Sequence, residues 1–244
     1  MTASKKDIIL QLQKDILPLQ GLKAPSAGSQ TLIDLGPIDA AFPNGHFPTA
    51  AIHEFLTATT EQSAATSGFI AGLVGALMQG AGVAIWISTS RTIFPAALKT
   101  FGIQPDRIIF IDLKKAKDAL WAMEEALKCN GLAAVIGEIR DLDFTASRRL
   151  QLAVEQSRVT GFILRHQPRQ QNTIACIARW AITPQTSQLE DNMPGIGFPR
   201  WQVQLLKIRN GKPGTWQMEW SEGRFQPVFE TIPALIVEAK RKTG

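Results

Sequence analysis

AIHEFLTATTEQSAATSGFIAGLVGALMQ, residues 51–79, decides the fold. Residues 51–56 are mostly apolar and read as a strand. TATTEQSAATSG, residues 57–68, reads as a loop of small polar residues, and an apolar helix is expected from Ser67 to Gln79. Strand, loop and helix in this order mark the place of a phosphate-binding loop. Such a loop needs glycines, so that backbone N–H groups can wrap the phosphates. It also needs a lysine for the β- and γ-phosphates and a hydroxyl for Mg²⁺. Residues 57–68 hold no lysine, and no glycine before Gly68. The chain's Gly211-Lys212 pair precedes Pro213 in a turn between two strands, which does not suit that role.

Downstream, strands and helices alternate. Strands are expected at 83–88, 107–112, 133–139 and 161–166, with helices at 94–102, 116–130 and 143–157. Asp143 or Thr145 is placed to cap the last helix. The strands are nearly continuously apolar, as parallel strands covered on both faces are. Helices between parallel strands give a doubly wound sheet. After about residue 172 the pattern alternates apolar with polar, in 173–182, 200–210 and 214–221. These segments read as antiparallel strands extending the sheet.

The 244 residues are 45% apolar and 19% charged, as in a globular protein with a real core. No run of about 18 apolar residues suggests a membrane span. The charged N-terminus has no signal-peptide pattern, so a cytoplasmic protein is expected. Cys129 and Cys176 are far apart and read as buried thiols. His46, His53 and His166 are scattered without metal-ligand spacing. Ile8, Leu12, Ile16 and Leu19 recur at helical spacing over residues 5–20, and a loop, GLKAPSAGSQT, follows. That helix either caps its own domain or meets a partner. The net charge of +5 permits contact with phosphates, and the arginine clusters are open to that reading or to one as solvated faces.

Several segments then stand in a familiar order. FPNGHFPTAAIHEFL leads a Gly-containing turn into a strand with a Glu, and QGAGVAIWISTSRTIFP, LKTFGI and DRIIFID follow. AAVIGEIRDLD and TGFILRHQPR come next, and RWQVQLLKIRNGKPGTWQMEW closes the set. This series resembles the core of RecA recombinase and, more closely, the ImuA family, over about Gly36 to Trp220. The resemblance implies an α/β, RecA-like doubly wound, mainly parallel sheet with antiparallel C-terminal strands. It divides the chain into an N-terminal helix and linker (1–25), a core domain (26–230) and a basic tail (231–244).

The resemblance also places a nucleotide site. Its Walker A lysine falls near Thr66 and the next hydroxyl residue at Ser67, which reads as a helix N-cap or as a metal-binding hydroxyl. Its catalytic glutamate falls at Ser90. Its Walker B aspartate falls at Glu138, able to hold Mg²⁺ or to pair with Arg140. Its sensor glutamine falls at Gln167, beside His166. The two DNA-contacting loops shrink to about 141–145 and to PRQQN. Phosphoryl transfer rests on positioning and electrostatics. Loss of one preorganised group commonly costs about 10²–10³ in rate, so a chain lacking the lysine, the glycines and the glutamate is expected not to hydrolyse ATP. Weak nucleotide binding stays open and no cofactor is implied.

Arg148, Arg149, Arg165, Arg169, Arg200, Trp201, Arg209, Lys240 and Arg241 are candidate contacts for a partner or DNA. The implied role is that of a non-catalytic accessory protein in DNA-damage-induced mutagenesis and translesion synthesis. Its implied partners are an ImuB-like protein, a DnaE-type error-prone polymerase and RecA, with single-stranded DNA open. A SulA-like inhibitor of cell division and a weak DNA-binding ATPase are the alternatives.

Overall fold

The computed structural model describes residues 33–79, 82–187 and 197–228. Its centre is one nine-stranded sheet. In chain order the strands are β1 (Ile52–Thr57), β2 (Val83–Ser88), β3 (Ile108–Asp112), β4 (Leu132–Glu138), β5 (Thr160–His166), β6 (Ala178–Gln185), β7 (Arg200–Ile208), β8 (Gly214–Ser221) and β9 (Arg224–Pro227). The helices are α1 (Thr60–Leu77), α2 (Ala116–Leu127) and α3 (Phe144–Ser157). Across the sheet the strands run β3-β2-β4-β5-β1-β6-β7-β8-β9. The first six positions are joined by parallel pairings, and β7, β8 and β9 follow antiparallel. This is the α/β, mainly parallel, RecA-like sheet expected above.

The expectation for 173–182 holds in part: β6 starts only at Ala178 and runs antiparallel to β7, but it joins the sheet parallel to β1, with His53 opposite Ala178. Its apolar-polar alternation has another cause. Trp180 and Ile182 are buried, while Arg179 and Ala181 are only half-buried. Alternation reports burial on one face; strand direction is set by the path of the preceding connection.

Two apolar cores flank the sheet. The one under α1 holds Phe55, Phe69, Trp86, Trp180, Trp201 and Phe225. The other, under α2 and α3, holds Ile52, Met123, Ile163 and Leu150. Asp143 caps α3 as expected, its Oδ1 accepting from Ala146 N at 2.7 Å. Two glycines let α1 lie close to its neighbours. A Cβ on Gly72 would sit 2.6 Å from the Phe225 ring, and one on Gly75 would sit 2.1 Å from the Phe101 carbonyl oxygen. Cys176 is buried, which pushes its thiol up to about 12, but Cys129 is exposed at a turn, contrary to expectation. The N-terminal helix and the basic tail lie outside the described residues.

Candidate functional site

The region after β1 differs most from the sequence reading. Residues 60–66 are not loop but the first turns of α1, and only Ala58 and Thr59 separate strand from helix. Thr59 is the N-cap, its Oγ1 accepting from Gln62 N at 3.2 Å. The Gln62 amide oxygen accepts from Ala58 N at 2.8 Å. Thr-x-x-Gln has the spacing of a capping box, a signal present in the sequence, with Gln62 reaching one residue further back than usual, to Ala58 N. Glu61 adds a carboxylate in the first turn, held below its usual range by the Thr59 hydroxyl and by its own backbone N–H. Its negative charge stands where a phosphate would otherwise meet the helix dipole.

Ser67 is therefore not an N-cap. It lies a further two turns into α1 and is buried, as is Thr66, whose Oγ1 finds no hydrogen-bond partner. The other carried-over positions lie at the carboxyl ends of neighbouring strands. Glu138 does not pair with Arg140. Its carboxylate accepts from Trp86 Nε1 at 2.8 Å and from Ser90 Oγ at 3.4 Å, while Arg140 Nε donates to the Gln167 carbonyl at 2.9 Å. Burial raises the Glu138 pKa above the usual carboxylate value. Ser88 and Arg91 bind Asp112 at 3.3 and 3.1 Å and stitch the β2 loop to β3.

Gln167 braces the short turn after β1. Its backbone N–H donates to Thr57 O at 2.8 Å and its side chain to Ala58 O at 2.9 Å, with a left-handed φ of 45°. His166 Nδ1 lies 3.1 Å from Thr57 Oγ1. So the structure brings Ser90 to Glu138 and Gln167 to the β1–α1 turn, and it places Thr66 and Ser67 inside the helix. Among the described residues, no group of three His, Cys, Asp or Glu side chains is placed to hold a metal ion.

The candidate contact residues divide. Arg148, Arg149 and Arg169 are exposed, each beside a carboxylate: Glu155 at 3.5 Å, Glu124 at 2.9 Å and Asp141 at 3.6 Å. Arg200 pairs with Glu219 across β7 and β8, and Arg209 is half-exposed just past β7. Two expectations fail. Trp201 is buried against Phe69 and Phe225, and Arg165 is only 1% exposed. β5 is covered on both faces, which buries Arg165, and Trp201 lies on the inward side of β7, whose alternate residues Gln202 and Gln204 are half-buried. Lys240 and Arg241 lie outside the described residues.

Arg165 belongs to a network that sequence reasoning missed. Glu54, fully buried on β1, accepts from Arg165 Nη1 at 2.8 Å and from Arg179 Nε at 2.5 Å. Arg165 also donates to Arg140 O, Gln170 O and Asn172 Oδ1, and Asn172 donates to Leu142 O. This cluster fixes the two shortened loops after β4 and β5 to the underside of the sheet. The ordered pair Glu54 and Arg165 in adjacent apolar strands was the available clue, because buried charges are rare without partners.

Two curated relatives share this sequence along most of its length. Both are "Protein ImuA" of Caulobacter vibrioides, one from strain NA1000 / CB15N and one from strain ATCC 19089 / CIP 103742 / CB 15. Each is 32% identical over 202 residues, covering 78% of this chain and 83% of the relative. The chain belongs to the ImuA family. No protein-family model matches it. This ImuA-family chain starts α1 with a self-capped, acidic turn and holds a buried Arg–Glu–Arg cluster beside two short loops.

Proposed function

We propose that this protein is a non-catalytic accessory factor of DNA-damage-induced mutagenesis and translesion synthesis, working in the cytoplasm through protein–protein contacts. Its partners in this reading are an ImuB-like protein, a DnaE-type error-prone polymerase and RecA. The observation that carries the non-catalytic half is the two-residue connection between β1 and α1. A triphosphate needs a run of free backbone N–H groups to wrap it. Ala58 and Thr59 supply no such run, Gln62 and Thr59 already satisfy the first donors, and Glu61 repels anions. Ser90, at the position of the water-activating glutamate, is bonded to Glu138. The mutagenesis half rests on membership of the ImuA family.

The test is retention of ImuB-like protein, polymerase and RecA by the immobilised full-length chain, beside a phosphate-release assay with single-stranded DNA. Retention of the ImuB-like protein without ATP hydrolysis is expected. If neither ImuB-like protein nor RecA is retained, the adaptor reading fails. DNA-stimulated hydrolysis that Glu138→Ala abolishes would refute the non-catalytic half.

A further inference from the structure

Two like charges stand opposite each other on the sheet. Arg179 on β6 is in register with Lys207 on β7. Directly opposed cations in an antiparallel pair are destabilising. Their surroundings do not offset them. The carboxylate that Arg179 binds, Glu54, is shared with Arg165, so this buried cluster counts one carboxylate against two guanidinium groups. Lys207 and Arg179 both act on the buried Cys176 thiol as nearby positive charges.

The cations continue beyond the pair. Ile208 is buried, so alternation along the chain returns Arg209 to the side of Lys207. Lys212 follows, exposed in the turn between β7 and β8. Lys207, Arg209 and Lys212 form no ion pair among the described residues. The carboxylate of β8, Glu219, lies at the opposite end of β7, where it holds Arg200. On this side of the sheet α2 and α3 pack over β2, β4 and β1, and β7 lies two strands further out. Its outward positions carry Gln202 and Gln204, half-buried, and Leu206, the unpaired residue of a bulge, 46% exposed.

One strand thus presents a cationic end, an exposed aliphatic side chain and a row of amides. Cations of this kind take the phosphodiester backbone of a nucleic acid, and amides hydrogen-bond base edges. A single strand suits the surface, because a sheet side has no element to enter the groove of a duplex and unpaired bases lay their edges open. We propose that single-stranded nucleic acid binds along the outward side of β7. Its phosphates lie at Lys207, Arg209 and Lys212 and its bases over Leu206, Gln204 and Gln202, and a bound phosphate relieves the repulsion between Lys207 and Arg179. These residues differ from those of the two shortened loops after β4 and β5, to which the resemblance assigned DNA contact.

The test is fluorescence anisotropy of a labelled oligothymidine of about 20 nucleotides with the full-length chain, repeated across about 50–200 mM salt and with a duplex of equal length. Binding of the single strand is expected. Lys207→Gln with Arg209→Gln is expected to lower the affinity and to reduce the slope of log K against log salt by about 1.4, the share of two phosphate contacts. Lys207→Gln alone, at an exposed position, is expected to give half that change, with an unfolding midpoint equal to or above that of the wild type. Lys114→Gln with Lys115→Gln removes the same charge beyond β3 and is expected to leave the slope unchanged. The proposal is overturned if the oligothymidine is not bound, if the two double variants lose affinity equally, or if the duplex binds as tightly as the single strand. A midpoint lowered by Lys207→Gln overturns it as well, since Arg179 and Lys207 then do not repel and need no anion.

Discussion

Glu54 and Arg165 face each other across β1 and β5 with their charged groups 2.8 Å apart and out of water, at 0% and 1% exposure. Arg179, 16% exposed, shares the same carboxylate. Taking charges out of water is costly, and removing one partner of such a set strands the others. Arg165→Ala is therefore expected to destabilise the fold by about 3–5 kcal/mol. In a domain of this size that lowers the unfolding midpoint on the order of 10 °C. Thermal unfolding measures it. A variant that keeps its midpoint but loses partner binding would return Arg165 to the surface role first assigned to it.

His53 gives the protein an acid limit. Its Nε2 lies 2.7 Å from Pro48 O and its Nδ1 3.3 Å from the Trp180 indole N–H, so one nitrogen donates and the other accepts, as only the neutral ring can. Burial lowers its pKa to about 4. Neutral His53 therefore adds stability that is complete above pH 6.5 and is lost as pH falls towards 4, roughly 3 kcal/mol in all. Asp39, raised by burial to about 6, acts in the opposite sense: its contribution is lost as pH rises from 3.8 to 6. The two partly cancel in the wild type. The difference in stability between wild type and His53→Gln isolates the histidine, and is expected to shrink steadily between pH 6.5 and 4. A constant difference across that range would show that the ring does not titrate with folding.

Gly75→Ala opposes two effects of known sign. Alanine in a helix interior gains about 1 kcal/mol over glycine. Here its Cβ would lie 2.1 Å from a backbone oxygen of Phe101, which cannot rotate away. Overpacking of this kind costs about 1–3 kcal/mol, so net destabilisation is expected in urea unfolding. Stabilisation would mean that residues 95–101 yield easily to α1.

Mg-ATP at about 1 mM is expected to move the unfolding midpoint by less than about 1 °C, because ligand stabilisation follows RT ln(1 + [L]/Kd) and is close to zero when Kd lies well above the concentration. A shift of several degrees, lost in Glu138→Ala, would show that Glu138 and Ser90 hold a nucleotide despite the two-residue turn after β1.

Much of this was legible beforehand. Nearly continuous apolar runs identified β2 to β5 as parallel strands, though β3, at the sheet's edge, is only partly covered, with Ile109 50% exposed, and Asp143 announced the start of α3. The absence of lysine from residues 57–68 argued against a working phosphate loop, and the proposed non-catalytic role rests on it. The start of α1 was misplaced because Thr59-x-x-Gln62 looks like polar loop until its capping role is recognised. Cys129 was misjudged because burial of a lone cysteine depends on its place in the fold, and this one falls in the turn after α2.

Local chemistry in the sequence determined most of the strands and helices, since their hydrophobic periods and caps depend on residues close together in the chain. The partners of charged groups were decided only by tertiary structure. Glu54 meets Arg165 and Arg179 from 111 and 125 positions away, and Trp86 claims Glu138 from 52. Those pairings depend on strand order and register, which place β5 and β6 on either side of β1 and β2 next to β4. The same assembly closes an apolar groove beside the start of α1, because its lining comes from α1, residues 92–101 and the facing ends of β6 and β7, which only packing brings together.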